Sequence, residues 1–427
     1  MNNKIKYLSF LPVLLLASCN FEFKYYLPAG VVPYTGSSTW TGGDDDFDDS
    51  GTFNITIWTA EKISSHTEVL VKNFELASGG KYTINLTAQK MDEGDAATTM
   101  LNDVSTGADI FVFAQDQLSR LKTANALSPI DSGLASHLKE IHSADSIQAA
   151  TLGEKMYAFP MTSDNGYFLY YNDSYLTADD VKDMDKMIAK LGSQNKKLNF
   201  NKSNGFYAAS YFLATGCESH WTVDDRTGRF IDYTDNYNSD VGLKAATAYK
   251  SFGNKKVIAD RSQWTNSAGA VITGVWEYEY LKTQWGAHLQ CAELPSFTVD
   301  GQTYHMSSFD GYKLLGVKPQ VDKKKASVCR KLAEYLTNSE NQLARFREVS
   351  WGPTAIAASQ DAEVKAHPAL AALAKQHEYA HQQEACPGSW FSSLGTLASN
   401  ITSDSTTAQL KSLLKNYSDG LAQLLDD

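Results

Sequence analysis

Between Thr52 and Phe113 the hydrophobic pattern switches from a period of two to the helical period of ~3.6 and back, twice over. Thr52–Trp58 (TFNITIW) places Phe53, Ile55 and Ile57 on one strand face, and a helical spacing of Val69, Leu70, Phe74 and Leu76 follows. Gly79-Gly80 breaks that helix, Tyr82–Ala88 alternates again, and a helical stretch over Asp95–Val104 leads into the buried-strand run Asp109–Phe113. Strand, helix, strand, helix, strand is the signature of an α/β fold built on a parallel sheet with right-handed crossovers. The first turn carries Thr59-Ala60-Glu61 in place of a G-x-G-x-x-G, so no dinucleotide site is expected.

Further along, Gly153–Pro160 and Gly166–Tyr171 read as strands joined by the polar turn Met161–Asn165. Thr177-Ala178-Asp179-Asp180 reads as a capping box opening a helix through Met184 and Ile188. Phe206–Gly216 and Ala326–Leu336 read as helices, Tyr312–Val317 as a strand, and the tail from Asp361 as helix-rich. At 427 residues the chain exceeds one hydrophobic core, so two lobes are expected. A net charge of −11 without a basic stripe excludes nucleic acid as partner.

The N-terminus reads as an address. Met1–Lys6 carries two lysines, and the apolar run Tyr7–Ala17 is too short to span ~30 Å of hydrocarbon. Leu16-Ala17-Ser18-Cys19 resembles the bacterial lipobox. That resemblance implies a signal peptide over residues 1–18, cleavage before Cys19 and acylation of its thiol, with the protein held outside the cytoplasmic membrane. Residues 19–51, with the acidic run Asp44–Asp49, read as a solvated tether; the EF-hand spacing that would favour Ca²⁺ is absent.

Metal chemistry is weakly supported. His377-Glu378-Tyr379-Ala380-His381 spells H-E-x-x-H on an expected helix, but no downstream ligand motif follows, and no metal is expected. Five cysteines are too few for a disulfide framework. Cys217, Cys291, Cys329 and Cys386 show no motif spacing; buried thiols are the default, with a Cys291–Cys386 pair as the alternative.

Several phrases resemble the solute-binding proteins of carbohydrate ABC importers, nearest the maltose/maltodextrin-binding type. They are Asn54–Trp58, Gly107–Phe111, Gly153–Pro160, Tyr170-Tyr171-Asn172, Gly274-Val275-Trp276 and Trp351-Gly352-Pro353-Thr354, in order along one chain from about Phe53 to Leu424. The resemblance implies a two-lobed periplasmic-binding-protein-like fold: each lobe a mainly parallel sheet flanked by helices, joined by crossing hinge strands and closing on a sugar. It divides the chain into an N-lobe of 52–163 plus about 308–350 and a C-lobe of 164–307 plus about 351–427.

Sugars are held by aromatic rings against their C–H faces and by carboxylates, amides and cations against their hydroxyls. The resemblance places Trp58, Glu61 and Lys62 at the end of the first strand, and Phe113, Asp116 and Gln117 after the third. It places Asp164 and Asn165 at the crossover, Asn204 and Phe206 at a helix start, and Trp276 and Trp390 as stacking faces. Trp58 and Phe206 serve equally well as core, Asp116 as a helix cap, and Glu61 and Asp164 as surface charges. Asn165, Asn204 and Gln117 stand where the family has charged groups, and amides can also meet hydroxyls.

The expected function is therefore a lipid-anchored, monomeric receptor that needs no cofactor. It would hand an oligosaccharide to ABC permease subunits, since the chain holds no G-x-x-x-x-G-K-[ST] nucleotide loop. A lipid-anchored glycoside hydrolase would need two opposed carboxylates, a binder of a non-sugar solute would use the same cleft, and an adhesin would show a flat, polar lobe interface.

Overall fold

The computed structural model describes residues 47–426 apart from Asn254. The signal segment, Cys19 and most of the stretch read as tether lie outside the described residues. Among the described residues no helix is long and apolar enough to cross a membrane.

Two five-stranded sheets carry the fold. In the first, Gly51–Thr59 lies between Tyr82–Lys90 and Ile110–Ala114, all parallel; Lys313–Val317 then runs antiparallel between Ile110–Ala114 and Ala158–Thr162. The second runs Ile258–Ala259, Lys197–Asn199, Ala268–Thr273, Phe168–Asn172, Leu289–Ala292, and only Phe168–Asn172 is reversed. Each sheet is thus parallel but for one strand, and that strand is the first the chain lays down after crossing from the other sheet.

The crossings are tied to one another. Ser163 N–H donates to the Gly352 carbonyl at 2.9 Å and Asn165 N–H to the Gly311 carbonyl at 3.2 Å. Asp164 Oδ2 accepts from the Gly352 N–H at 2.9 Å. Gln342 fastens the same region: its Nε2 donates to the Pro160 and Thr337 carbonyls, and its Oε1 accepts from Thr354 N–H at 2.7 Å and Ala355 N–H at 3.0 Å.

One apolar cluster fills the first lobe around Ile110, Phe111, Phe113, Leu315 and Leu332. The second sheet is covered on both faces, by a large cluster with Tyr211, Phe212, Tyr249 and Trp390 and a smaller one with Phe168, Tyr170 and Leu373. Burial on both faces explains why these strands read as continuous apolar runs rather than alternating ones.

Several expectations change. The end of the stretch read as tether is fixed in place: Asp49 is fully buried and meets Lys81 at 2.7 Å, Lys331 at 2.6 Å and the Ser327 hydroxyl at 2.7 Å. Burial pushes its carboxyl up, but these partners overcome it and hold it below the ordinary carboxylate range. Thr177 and Asp180 do form reciprocal hydrogen bonds, yet they open only the single turn Asp180–Lys182; the helix Met184–Ser193 has its own cap, Asp183. The stretch Gly153–Pro160 splits into Lys155–Met156 and Ala158–Thr162. The H-E-x-x-H stretch is not one helix. His377 ends a helix in the turn His377–Tyr379, whereas His381 sits on the strand Ala380–Gln382 paired with Phe309. His377 instead meets Asp310 at 2.6 Å, and no group of three or more metal-binding side chains occurs among the described residues. Cys291 and Cys386 are both free thiols, as are Cys217 and Cys329.

Candidate functional site

The residues brought together from the two lobes centre on Trp276. Strand Ala268–Thr273 ends at Gly274, and the turn Val275–Glu277 folds the indole back over that glycine, where any Cβ would overlap the ring. The ring is half-buried. From the facing lobe, at the start of helix Glu61–Ala77, Lys62 donates to the Trp276 carbonyl and pairs with Glu277 at 3.0 Å. Lys313 reaches the same place from the reversed strand. Its ammonium lies 5.1 Å from the Trp276 ring centre and 4.0 Å from that of Trp351, in cation–π geometry, and pairs with Glu93 at 2.8 Å.

This cluster is charged, and its inner members are buried. Burial pushes the Glu93 carboxyl up, but the Lys313 charge and hydrogen bond outweigh it and hold it low. Burial lowers the Lys313 ammonium, and Glu93 and Asp164 more than reverse that. Asp164 has no exposed surface and its Oδ1 has no hydrogen-bond partner; burial raises its carboxyl against the pull of Lys313. A buried oxygen without a partner is a costly feature that a ligand hydroxyl or a water would relieve.

A second polar cluster lies where Gln115–Gln117 meets the segment after Ala380–Gln382. Asp116 Oδ1 accepts from Gln383 Nε2 at 2.8 Å, and its Oδ2 accepts from the Gln117 amide and faces the Cys386 thiol at 3.8 Å. Gln383 Oε1 accepts from Asn165 Nδ2 at 2.7 Å. Gln117 Oε1 accepts from Arg120 at 2.7 Å. Burial pushes Asp116 up to about 7 against the hydrogen bond from Gln117 and the charge of Arg120. The folded protein therefore keeps a proton that an unfolded aspartate releases near ~pH 4. Stability from this group is complete below that and is lost as pH rises through about 7. Urea midpoints for Asp116→Asn should accordingly fall less between pH 5 and 8 than those of the wild type; parallel profiles would refute this.

The other expected residues lie elsewhere. Phe113 has no exposed surface and packs against Phe111 in the first core. Trp58 is also core, edge-on to Phe111, with its Nε1 donating to Gln89 at 2.6 Å. Glu61 is exposed and pairs with Lys90 at 2.6 Å. Asn204 is exposed and caps helix Gly205–Ala214, its oxygen accepting from Phe206 N–H at 2.9 Å. Phe206 stacks on Phe309 with ring centres 5.3 Å apart and meets Phe391 edge-on. Trp390 opens helix Trp390–Asn400, is only 5% exposed, and lies against Phe309 and Phe391. The Trp390 ring expected as a stacking face is thus packed against Phe309 and Phe391.

Sequence reasoning missed Glu93, Glu277, Lys313, Trp351 and Gln383. Lys313 carried a usable signal, as a lone charge inside the apolar run Tyr312–Val317. Gln383 carried none.

Two sheets tied by crossing segments, with charged and aromatic groups gathered between them, define a two-lobed binding protein. Residues 69–372 match the family of bacterial extracellular solute-binding proteins, and the chain belongs to that family. Among solved structures it is similar to a maltodextrin-binding protein of L. casei BL23 (TM-score 0.72, 21% identity, 88% of this chain and 100% of that one). It is similar also to the maltose/maltodextrin-binding domain of Bdellovibrio bacteriovorus bound to maltotriose (0.72, 18%, 88% and 100%). A maltotriose-binding protein of Thermus thermophilus matches at 0.69, with 15% identity over 87% of this chain and 99% of that one. The protein is a solute-binding protein with an extracytoplasmic place of work, and not an enzyme.

Proposed function

We propose that the protein is a lipid-anchored receptor that captures a maltodextrin-like oligosaccharide between its lobes and delivers it to an ABC permease. The observation that carries the reading is the half-buried Trp276, its carbonyl held by Lys62 and its indole faced by Lys313 from the other lobe, with the unpartnered oxygen of Asp164 within the field of the same Lys313. An aromatic face bordered by charged and amide groups is what a pyranose requires. On this reading the N-lobe is 52–163 plus about 308–350 and the C-lobe 164–307 plus about 351–427. Calorimetry against gluco-, galacto- and xylo-oligosaccharides tests the ligand class, with heat expected from α-glucans of two or more units. Heat from an amino acid or polyamine and from no sugar would overturn it.

Anchoring rests on Leu16-Ala17-Ser18-Cys19. A single acyl chain holds a protein only weakly, so more than one is attached. Cys19→Ser is expected to move the protein from the membrane fraction to the soluble one; unchanged fractionation would refute the anchor.

A further inference from the structure

We propose that Gln383 sets closure of the cleft, its side-chain amide standing in for a hydroxyl pair of the sugar between Asp116 and Asn165. The proposal rests on the reading of the lobe junction as a sugar site. Gln383 is only 4% exposed and every polar group it has is used. Its Nε2 donates to Asp116 and its Oε1 accepts from Asn165, at 2.8 and 2.7 Å. Its carbonyl accepts from Gln115 Nε2 at 2.8 Å, and its N–H donates to the Asp310 carbonyl at 2.8 Å. Gln115 in turn accepts from the Tyr312 N–H at 2.8 Å. One residue from the segment before helix Trp390–Asn400 therefore grips the loop after the third strand and two of the three crossings.

A primary amide presents a donor and an acceptor on neighbouring atoms, and so do two adjacent hydroxyls of a pyranose. Closure on Gln383 thus satisfies Asp116 and Asn165 without a ligand. A sugar that binds there displaces an amide rather than water. The surroundings leave room for this exchange on one side only. A Cβ at Gly311 would stand 3.2 Å from both Cβ and Oε1 of Gln383, so the amide lies tight against that crossing. Beside it, Gln383 lines a cavity of about 80 Å³ together with Trp221, Phe309 and Trp390, into which the displaced side chain can turn. Self-closure lowers the apparent sugar affinity by the fraction of molecules left open.

Small-angle scattering and calorimetry with maltotriose test this on the whole mature chain. Sugar-free wild type is expected to be as compact as sugar-loaded wild type. Gln383→Ala removes the partners of Asp116 Oδ1 and Asn165 Nδ2, so it should expand without sugar, contract on loading, and bind maltotriose at least about threefold more tightly. If that variant does not fold, Gly311→Ala, which crowds the amide and removes no polar group, must show the same expansion. Equal radii of gyration for sugar-free wild type and variant, or weaker binding by the variant, would overturn the proposal. Wild type that binds no sugar at all would refute the sugar reading, while the sugar-free scattering comparison still decides whether Gln383 holds the lobes closed.

Discussion

Trp390→Ala is expected to cost ~3–5 kcal/mol of folding free energy, the usual loss when a large aromatic is cut from a packed core. The surviving folded fraction should bind sugar within about threefold of wild type, a difference of under ~1 kcal/mol. Its ring is held by Phe309 and Phe391 within the largest apolar cluster of its lobe. Trp276→Ala should behave in the opposite way. That ring is half-buried and its neighbours across the junction belong to the facing lobe. Its loss should weaken oligosaccharide binding roughly thirtyfold, ~2 kcal/mol for a buried aromatic anchor, and move the urea midpoint little. Urea unfolding and calorimetry on both variants separate the roles. A Trp390 variant that stays stable but loses affinity would restore it as a stacking face.

Lys313→Ala should be as damaging, by another route. The ammonium has no exposed surface and is the counter-charge for Glu93 and, at longer range, Asp164. Removing one member of a buried pair costs ~3–5 kcal/mol, chiefly because a buried charge is left behind. The pH dependence has a definite sign. In the wild type Glu93 is held low, so its contribution is present above the ordinary carboxylate pKa and is lost as pH falls through the folded value. Lys313 is held high, so its share is lost only as pH rises past its folded value. Without Lys313, burial dominates Glu93 and a protonated carboxyl suits the folded state better. The loss of stability should then be largest near ~pH 8 and smaller near ~pH 4.5, on either side of the range where such acids titrate. Lys313→Met combined with Glu93→Gln should recover much of it. Equal losses at both pH values would refute the account.

The fold was legible wherever one element was long and its pattern pure. The first three strands and the two helices between them followed from periodicity because each strand packs apolar residues on the core in a fixed register. Boundaries were poorer where local chemistry competed: Thr177 and Asp180 made their capping box, but Asp183 started the helix. The site divided along a physical line. Lys62, Asp116, Asn165 and Trp276, which the structure gathers at the lobe junction, each sit at the end of an element that sequence can place. Gln383 was invisible because its role comes from segments far apart in the chain meeting at one amide. Trp58, Phe113 and Trp390 are buried among core side chains, and an aromatic that could line a cleft has the same letters as one that fills a core.

The reversed strand Lys313–Val317 has a consequence for how the chain reaches its native state. It lies between Ile110–Ala114 and Ala158–Thr162 and pairs with both. Until it is synthesised, those two strands have no neighbour on the facing edge, and about 150 further residues must emerge first. Such distant pairing makes folding slow, because a long loop must be closed before any contact rewards it. The nascent N-terminal half thus exposes open, strongly apolar edges that favour pairing with other chains. A chain that stays unfolded until its reversed strand arrives is well matched to a route through a membrane pore that admits only extended polypeptide.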